Sequence, residues 1–216
     1  MKNLSGSSKR TDLSLHWQKL DKAFYERSDV LEIARDLIGK ILVTRFNGVT
    51  TAGRIVETEA YNGVTDKASH AYNGRRTRRT ETMYARGGLA YIYLCYGIHH
   101  LFNVVTNVEN IPHAVLIRAV EPLIGQATML ERSGKPAVHP TLTKGPGNMA
   151  RALGIFTRHT GLDLTGNEIF MADDGYLPDP QQLMSTPRIG VDYAGADALL
   201  PYRFILLGSP FVSGKK

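Results

Sequence analysis

Two apolar runs meet at Asn47-Gly48, and that dipeptide limits the fold more than any other feature of the chain. Lys40–Phe46 reads as a strand and Val49–Glu59 as its return strand. Asn and Gly tolerate positive φ, which the two-residue type I′ turn requires, so the two runs pair antiparallel. The same pattern of strand signals continues through Leu89–Cys95 and His100–Asn107, which flank a tight turn at Tyr96-Gly97. Ala114–Val120, Glu168–Ala172, Arg188–Val191 and Arg203–Leu207 are further expected strands. Three helices are expected. The first opens at Ser28-Asp29, carries Val30, Ile33, Ala34, Leu37 and Ile38 on one face, and stops at Gly39. The second begins at Glu121-Pro122, with proline in its first turn, and runs to about Arg132. The third spans Gly147–Leu153 and ends at Gly154.

Residues 62–88 read as a functional loop with one helical turn near Asp66–His70, and Ser133–Leu142 as a Gly/Pro/His linker. Glycine and proline, 21 and 10 of 216 residues, punctuate the chain, and no internal repeat is present. These signals predict a mixed α/β (α+β) fold. A single domain over residues 21–216, built on an antiparallel β-sheet with flanking helices, follows a flexible N-terminal tail at 1–20.

The chemistry-bearing residues concentrate between 54 and 103. Glu59 ends the second strand beside the loop, and period-2 alternation puts Glu57, Glu59 and Tyr61 on one face, so spacing alone does not choose between the carboxylates. A carboxylate there can act as general base toward a water held against a cation. Tyr61, His70 and Tyr93 are candidate pocket walls, since aromatic faces stack on any base and favour a cationic one. Singly, each is more simply a core or surface ring; together they form a constellation. Tyr96 at a hairpin tip has no core to join and suits a minor-groove wedge, and Gly97 beside it permits close backbone approach to a ligand.

Lys67–Arg86 carries six cations, Lys67, Arg75, Arg76, Arg78, Arg79 and Arg86, against one internal carboxylate, Glu81. The net charge of +6 is compatible with a polyanion but does not identify one; the clustering beside Glu59 favours phosphate contact, with Arg75, Arg76 and Arg78 as backbone-binding candidates. These are the parts needed to grip a polyanion, wedge into its stack, cradle an extruded base and activate a water. Gly145-Pro146-Gly147 fits a helix-hairpin-helix turn or a phosphate-binding helix N-terminus, with an ordinary turn the simpler reading.

The single cysteine, Cys95, allows no intramolecular disulfide and reads as a buried, inert thiol. His99 and His100 point to opposite faces of a strand and cannot share a metal. No metal site, no cofactor and no membrane span are expected; a cytoplasmic monomer is.

With those residues laid out, the chain resembles the alkyladenine (3-methyladenine) DNA glycosylase family over about residues 24–213. The matching stretches are Arg54–Tyr61, His70, Met83, Tyr91–Gly97, Asn103, Leu116–Pro122, Arg188–Val191 and Gly208–Ser213. The resemblance implies a curved sheet with a protruding, DNA-intercalating β-hairpin. It also implies a double-stranded DNA partner carrying damaged purines and release of the base without strand cleavage. It assigns Glu59 as general base, with Arg118 and the main chain of Ile189 helping to hold the water. Tyr61, His70 and Tyr93 wrap the flipped base, Tyr96 fills the gap, and Asn103 disfavours guanine by occupying the place of its exocyclic amine. Two departures from the mammalian pattern stand at Asp192-Tyr193 and Ile98-His99.

Two other classes compete. A glycosylase/lyase needs an amine nucleophile with a lowered pKa, and neither Lys67 nor Lys144 has a local cause for one. A non-catalytic RNA- or DNA-binding module, akin to the tRNA-binding domain of a formyltransferase, explains the basic patch but leaves Glu59, Arg118 and Asn103 without a task.

Overall fold

A computed structural model describes residues 17–214. Residues 1–16 of the expected tail lie outside the described residues, but its last part belongs to the fold, because Gln18–Lys19 (β1) pairs with a later strand. The helices Lys22–Tyr25 (α1) and Val30–Asp36 (α2) follow. Asp29 caps α2 by accepting the N–H groups of Leu31 and Glu32 at 2.8 and 3.1 Å, a contribution of about 1 kcal/mol. Next come Ile41–Phe46 (β2), Val49–Tyr61 (β3), Ala90–Cys95 (β4), His99–Thr106 (β5) and His113–Ile124 (β6). Gln126–Ser133 (α3) and Pro146–Leu153 (α4) precede Ile169–Asp173 (β7), Leu183–Thr186 (β8) and Arg203–Leu206 (β9).

The strands form one open antiparallel sheet in the order β1-β7-β2-β3-β6-β5-β4. β3 is its spine. Along one edge, β2 pairs as far as Arg54 and β9 takes over from Glu57 to Glu59, with β8 outside β9. The opposite edge pairs with β6. There Ile55 faces Val120, Glu57 faces Ala119 and Thr58 faces Ile117, so Val56 and Arg118 are each an extra residue in their strand. Paired bulges of this kind bend a sheet and re-aim a side chain. Here they deliver Arg118 to the carboxylate face of β3.

One sheet face packs on α2 and α4, joining Ile33, Leu37, Met149 and Leu153 to Ile55, Phe102, Val115 and Ile117 in the main core. The 62–88 loop covers part of the other face and packs Ala71, Met83 and Tyr84 against Tyr91, Val105 and Ala114. Asn47 and Gly48, at φ 52° and 76°, make the expected β2–β3 turn.

Three expectations are corrected. The helix expected from Glu121-Pro122 is strand until Ile124, and α3 begins only at Gln126. Pro122 faces Gly53 beside the register shift between Ala52 and Gly53, an irregular position of the kind at which a strand admits proline. The helical turn near Asp66–His70 is absent; short 3₁₀ turns lie instead at Gly63–Thr65, Tyr72–Gly74 and Glu81–Tyr84. Arg188–Val191 is loop, and the strand lies earlier, at Leu183–Thr186. The polar groups that would ladder or point outward there are committed to side chains of β3 and the loop. Ile189 N–H is given to Glu59, and Arg188 to the Asp66 carboxylate at 2.5 and 2.8 Å.

Candidate active site

Glu57 and Glu59 are both fully buried on β3, yet their surroundings differ. Oε1 of Glu57 accepts from Arg118 Nε, Arg203 Nε and Ser213 Oγ at 2.9, 2.7 and 2.8 Å. Its Oε2 accepts the Ser213 N–H at 2.7 Å. That carboxylate is an anchor that ties the C-terminal segment to the sheet. Glu59 is held more openly. Its Oε1 takes the Ile189 N–H at 2.8 Å and lies 3.2 Å from an Arg118 terminal nitrogen, while Oε2 takes only the Tyr61 hydroxyl at 2.9 Å. Glu57 is thus the more heavily bonded of the two, with four hydrogen bonds against the three polar contacts of Glu59.

Two hollows meet at Tyr93. The first, of about 30 Å³, is lined by Tyr61, His70, Met83, Tyr91, Tyr93 and Asn103, with Tyr193 also at its wall. The second is a cleft of about 330 Å³ that runs past Tyr93, Leu116, Arg118 and Ile189 to Tyr96 and Gly145–Asn148. The aromatic hollow is too tight for a purine as it stands, since the His70 and Tyr93 rings meet edge to face at 4.6 Å. Entry of a flat ring requires one wall to swing. Tyr193 is the least restrained, 71% exposed and held by one hydrogen bond from its hydroxyl to Ala68 O at 3.0 Å.

Asn103 is buried on β5 opposite Tyr91, and its amide donates to the Tyr91 and Leu101 carbonyls at 3.1 and 3.2 Å. Its side chain is thus fixed at the base of the hollow. Tyr96 stands at the β4–β5 tip, 89% exposed, with φ 51° followed by Gly97 at 73°. A positive φ is costly for an aromatic residue and marks a turn held for a purpose. Cys95 is only partly buried and lines the cleft, so the expected buried thiol is corrected: at the last position of β4 it shares the strand face of Tyr91 and Tyr93, which there opens into the cleft.

The basic patch divides. Arg76 is committed to Glu81 and Asn110, and Arg86 to Glu26. Arg75 and Arg78 are exposed, with no ion-pair partner among the described residues. Gly145-Pro146-Gly147 opens α4 and closes one end of the cleft; a 3₁₀ turn, not a helix, precedes it. Among the described residues, no group of three or more His, Cys, Asp or Glu side chains is arranged to hold a metal, and no helix is long and apolar enough to cross a membrane.

The methylpurine-DNA glycosylase family model matches residues 23–210. The chain belongs to this family. A Chlamydia felis protein, provisionally named 3-methyladenine DNA glycosylase, is 48% identical over 190 residues, covering 87% of this chain and 95% of its own. Relatives of the same provisional name from Desulfitobacterium hafniense and Bacillus cytotoxicus are 42% and 43% identical, each covering at least 90% of this chain and 99% of their own. The chain is accordingly a DNA glycosylase, an enzyme of base excision repair whose substrate is DNA.

The electrostatics of the glycosylase's pocket are set by burial first. Burial, then the charges of Arg79 and Arg75, lowers His70 from 6.5 to about 4. Burial, then the Glu59 charge, raises Tyr61 well above its ordinary value, and burial likewise raises Tyr91, Tyr93 and Tyr193. For Arg118 burial alone would lower the pKa, but the Glu59 and Glu57 charges outweigh it and raise it. The pocket at neutral pH is therefore a set of uncharged rings beside a buried carboxylate–guanidinium cluster. Sequence reasoning passed over Tyr91, Tyr193 and Arg79 here. Tyr91 shared a strand face with Tyr93 and was legible from that; Tyr193 is brought in from far along the chain and had no local signal.

Proposed function

We propose that the enzyme flips alkylated or deaminated purines out of duplex DNA and hydrolyses the N-glycosidic bond with a water activated by Glu59, leaving an abasic site. 3-Methyladenine, 7-methylguanine, hypoxanthine and ethenoadenine are the substrates this reading names. The observation that carries it is the pairing of a buried Glu59, gripped by Arg118 and the Ile189 N–H, with an aromatic hollow that begins two residues along the strand at Tyr61. Methylation at N3 or N7 makes the purine cationic and a good leaving group, so little acid catalysis is needed. Stacking on the cation by Tyr61, His70 and Tyr93 adds affinity, and a damaged pair costs less to open. Glu59, by taking the water's proton, supplies the nucleophile to an oxocarbenium-like sugar.

In the same reading, Asn103 rejects guanine by crowding its exocyclic amine, and Tyr96 fills the vacated stack. Arg75 and Arg78 contact phosphates, with Gly97 letting the backbone approach; Arg76 contributes only if it leaves Glu81. The protein acts as a monomer and releases the base without cutting the strand. Borohydride should trap no covalent adduct.

The test is single-turnover release of hypoxanthine and 3-methyladenine from duplex DNA by wild type and Glu59→Gln. Release by wild type, with loss of most excision but retained lesion binding in the variant, is the expected result. Unimpaired excision by Glu59→Gln removes Glu59 from its role, and DNA binding without release of either base by wild type overturns the substrate assignment.

A further inference from the structure

Arg79 reaches from the 62–88 loop onto the pocket wall. Its guanidinium carbon lies 5.1 Å from the centre of the Tyr93 ring, and its Nη2 stands 3.4 Å from Nε2 of His70. A guanidinium has donors only, so the His70 Nε2 facing it must offer a lone pair. The other ring nitrogen, Nδ1, is 2.9 Å from the Tyr91 hydroxyl. A neutral imidazole carries one proton, which leaves that proton on Nδ1, donated to the Tyr91 oxygen. We propose that Arg79 is a positioning residue that locks His70 as the neutral Nδ1–H tautomer and so keeps the pocket wall uncharged.

The surroundings of the ring agree. The groups around it are Arg79 and Arg75 from its own loop, Tyr91 and Tyr93 from β4, and Tyr61 and Tyr193 across the hollow. The four phenols all have raised pKa values and stay neutral. Glu59 lies behind Tyr61, already engaged with Arg118 and Ile189. Burial, then the two arginine charges, holds His70 at about 4. The functional consequence rests on the purine-excision reading above. A 3- or 7-methylated purine arrives as a cation, and an imidazolium in the wall would repel it at contact distance. A neutral imidazole stacks on it. Arg79's own charge does less harm, because Arg79 is exposed and water and salt screen it.

The test uses the full chain labelled with ¹⁵N-histidine, free of DNA, as wild type, Arg79→Met and Arg79→Lys. Long-range ¹H–¹⁵N spectra across pH report the tautomer and the midpoint of His70. Wild type is expected to show Nδ1–H with a midpoint near 4. Arg79→Met should mix the tautomers and raise the midpoint toward the ordinary imidazole value, while Arg79→Lys, which keeps a charge and donors, stays closer to wild type. Added salt should raise the wild-type midpoint more than that of Arg79→Met. An Nε2–H wild type, or an Arg79→Met spectrum identical to wild type, overturns the proposal.

Excision supplies the functional arm. In Arg79→Met the acid limb for 7-methylguanine should move to higher pH, with hypoxanthine affected less. An equal loss on both substrates with an unmoved His70 midpoint assigns Arg79 to DNA contact instead and also overturns the proposal. Failure of wild type to release either base counts against the purine reading alone, since the spectra need no substrate.

Discussion

At the residue scale, two glutamates of one type on one buried face of β3 do different work because of who donates to them. Glu57 compensates Arg118 and Arg203 together, and among the described residues no other carboxylate pairs with Arg203. Removing its charge strands a buried guanidinium, which typically costs about 3–5 kcal/mol. Glu57→Gln should therefore lose stability on that order in urea unfolding, whereas Glu59→Gln should lose markedly less, because Arg118 keeps Glu57 and an amide oxygen still accepts from Ile189. Equal stabilities for the two variants would sink the division of roles. Spacing showed that both carboxylates share a face, but not which one is spent. The deciding partners, Arg203 and Ser213, lie 146 and 156 residues further along the chain. The wall residues Tyr61, His70 and Tyr93 were legible because they fall within one stretch of sequence; Tyr193, which closes the same hollow, was not.

At the element scale, the β4–β5 hairpin carries its strain at the tip. Tyr96 sits in the left-handed region with almost its whole side chain in solvent, so neither packing nor burial repays the backbone cost. Tyr96→Gly should stabilise the free protein by about 1 kcal/mol while weakening lesion-DNA binding. A variant both less stable and equally tight on DNA would remove the wedge. The β3–β6 pair makes the converse point: a Cβ on Gly53 would meet Val120 Cγ2 at 2.5 Å and Glu121 O at 2.9 Å. Gly53→Ala should cost about 1–3 kcal/mol, measured by thermal unfolding, with a Tm equal to wild type as the contrary outcome. Elements specified by local chemistry were readable in advance, as with the Asn47-Gly48 turn, the Asp29 cap of α2 and Gly154 after α4. Those that depend on a distant neighbour were not. Glu121-Pro122 carries a helix-start signal, overridden by the length of β3 and the register shift beside Gly53. Arg188–Val191 carries a strand pattern, overridden by the claims of Asp66 and Glu59 on its polar groups.

At the scale of the whole molecule, several imidazoles are built in as neutral groups. The ring nitrogen Nδ1 of His159 accepts the Phe156 N–H at 3.1 Å, and that of His100 accepts the Thr157 N–H at 3.2 Å. Nδ1 of His113 lies 3.2 Å from the Asn107 amide nitrogen, which donates to it. Protonation would set a donor against a donor at each place. Burial lowers the pKa of all three and of His70, with neighbouring arginines adding to the effect at His70, His100 and His159. The sign follows from linkage. Between the folded value, about 4 at His70, and the ordinary 6.5, the unfolded chain binds more protons than the folded one, so stability falls as pH falls through that window. Above the ordinary imidazole value the contribution is complete. The lowered carboxylates, such as Glu26, Asp163 and Asp174, act in the same direction but only at lower pH, below their ordinary values of 4.5 and 3.8. Acid destabilisation should therefore set in on the imidazole side of pH 6, ahead of carboxylate protonation. The urea midpoint should drop between pH 7.5 and 5, and replacing His70 and His113 together by glutamine should flatten that drop relative to the variant's own midpoint at pH 7.5. A wild-type midpoint that is level until carboxylates titrate would show that these rings accept protons in the folded state as readily as in the unfolded one.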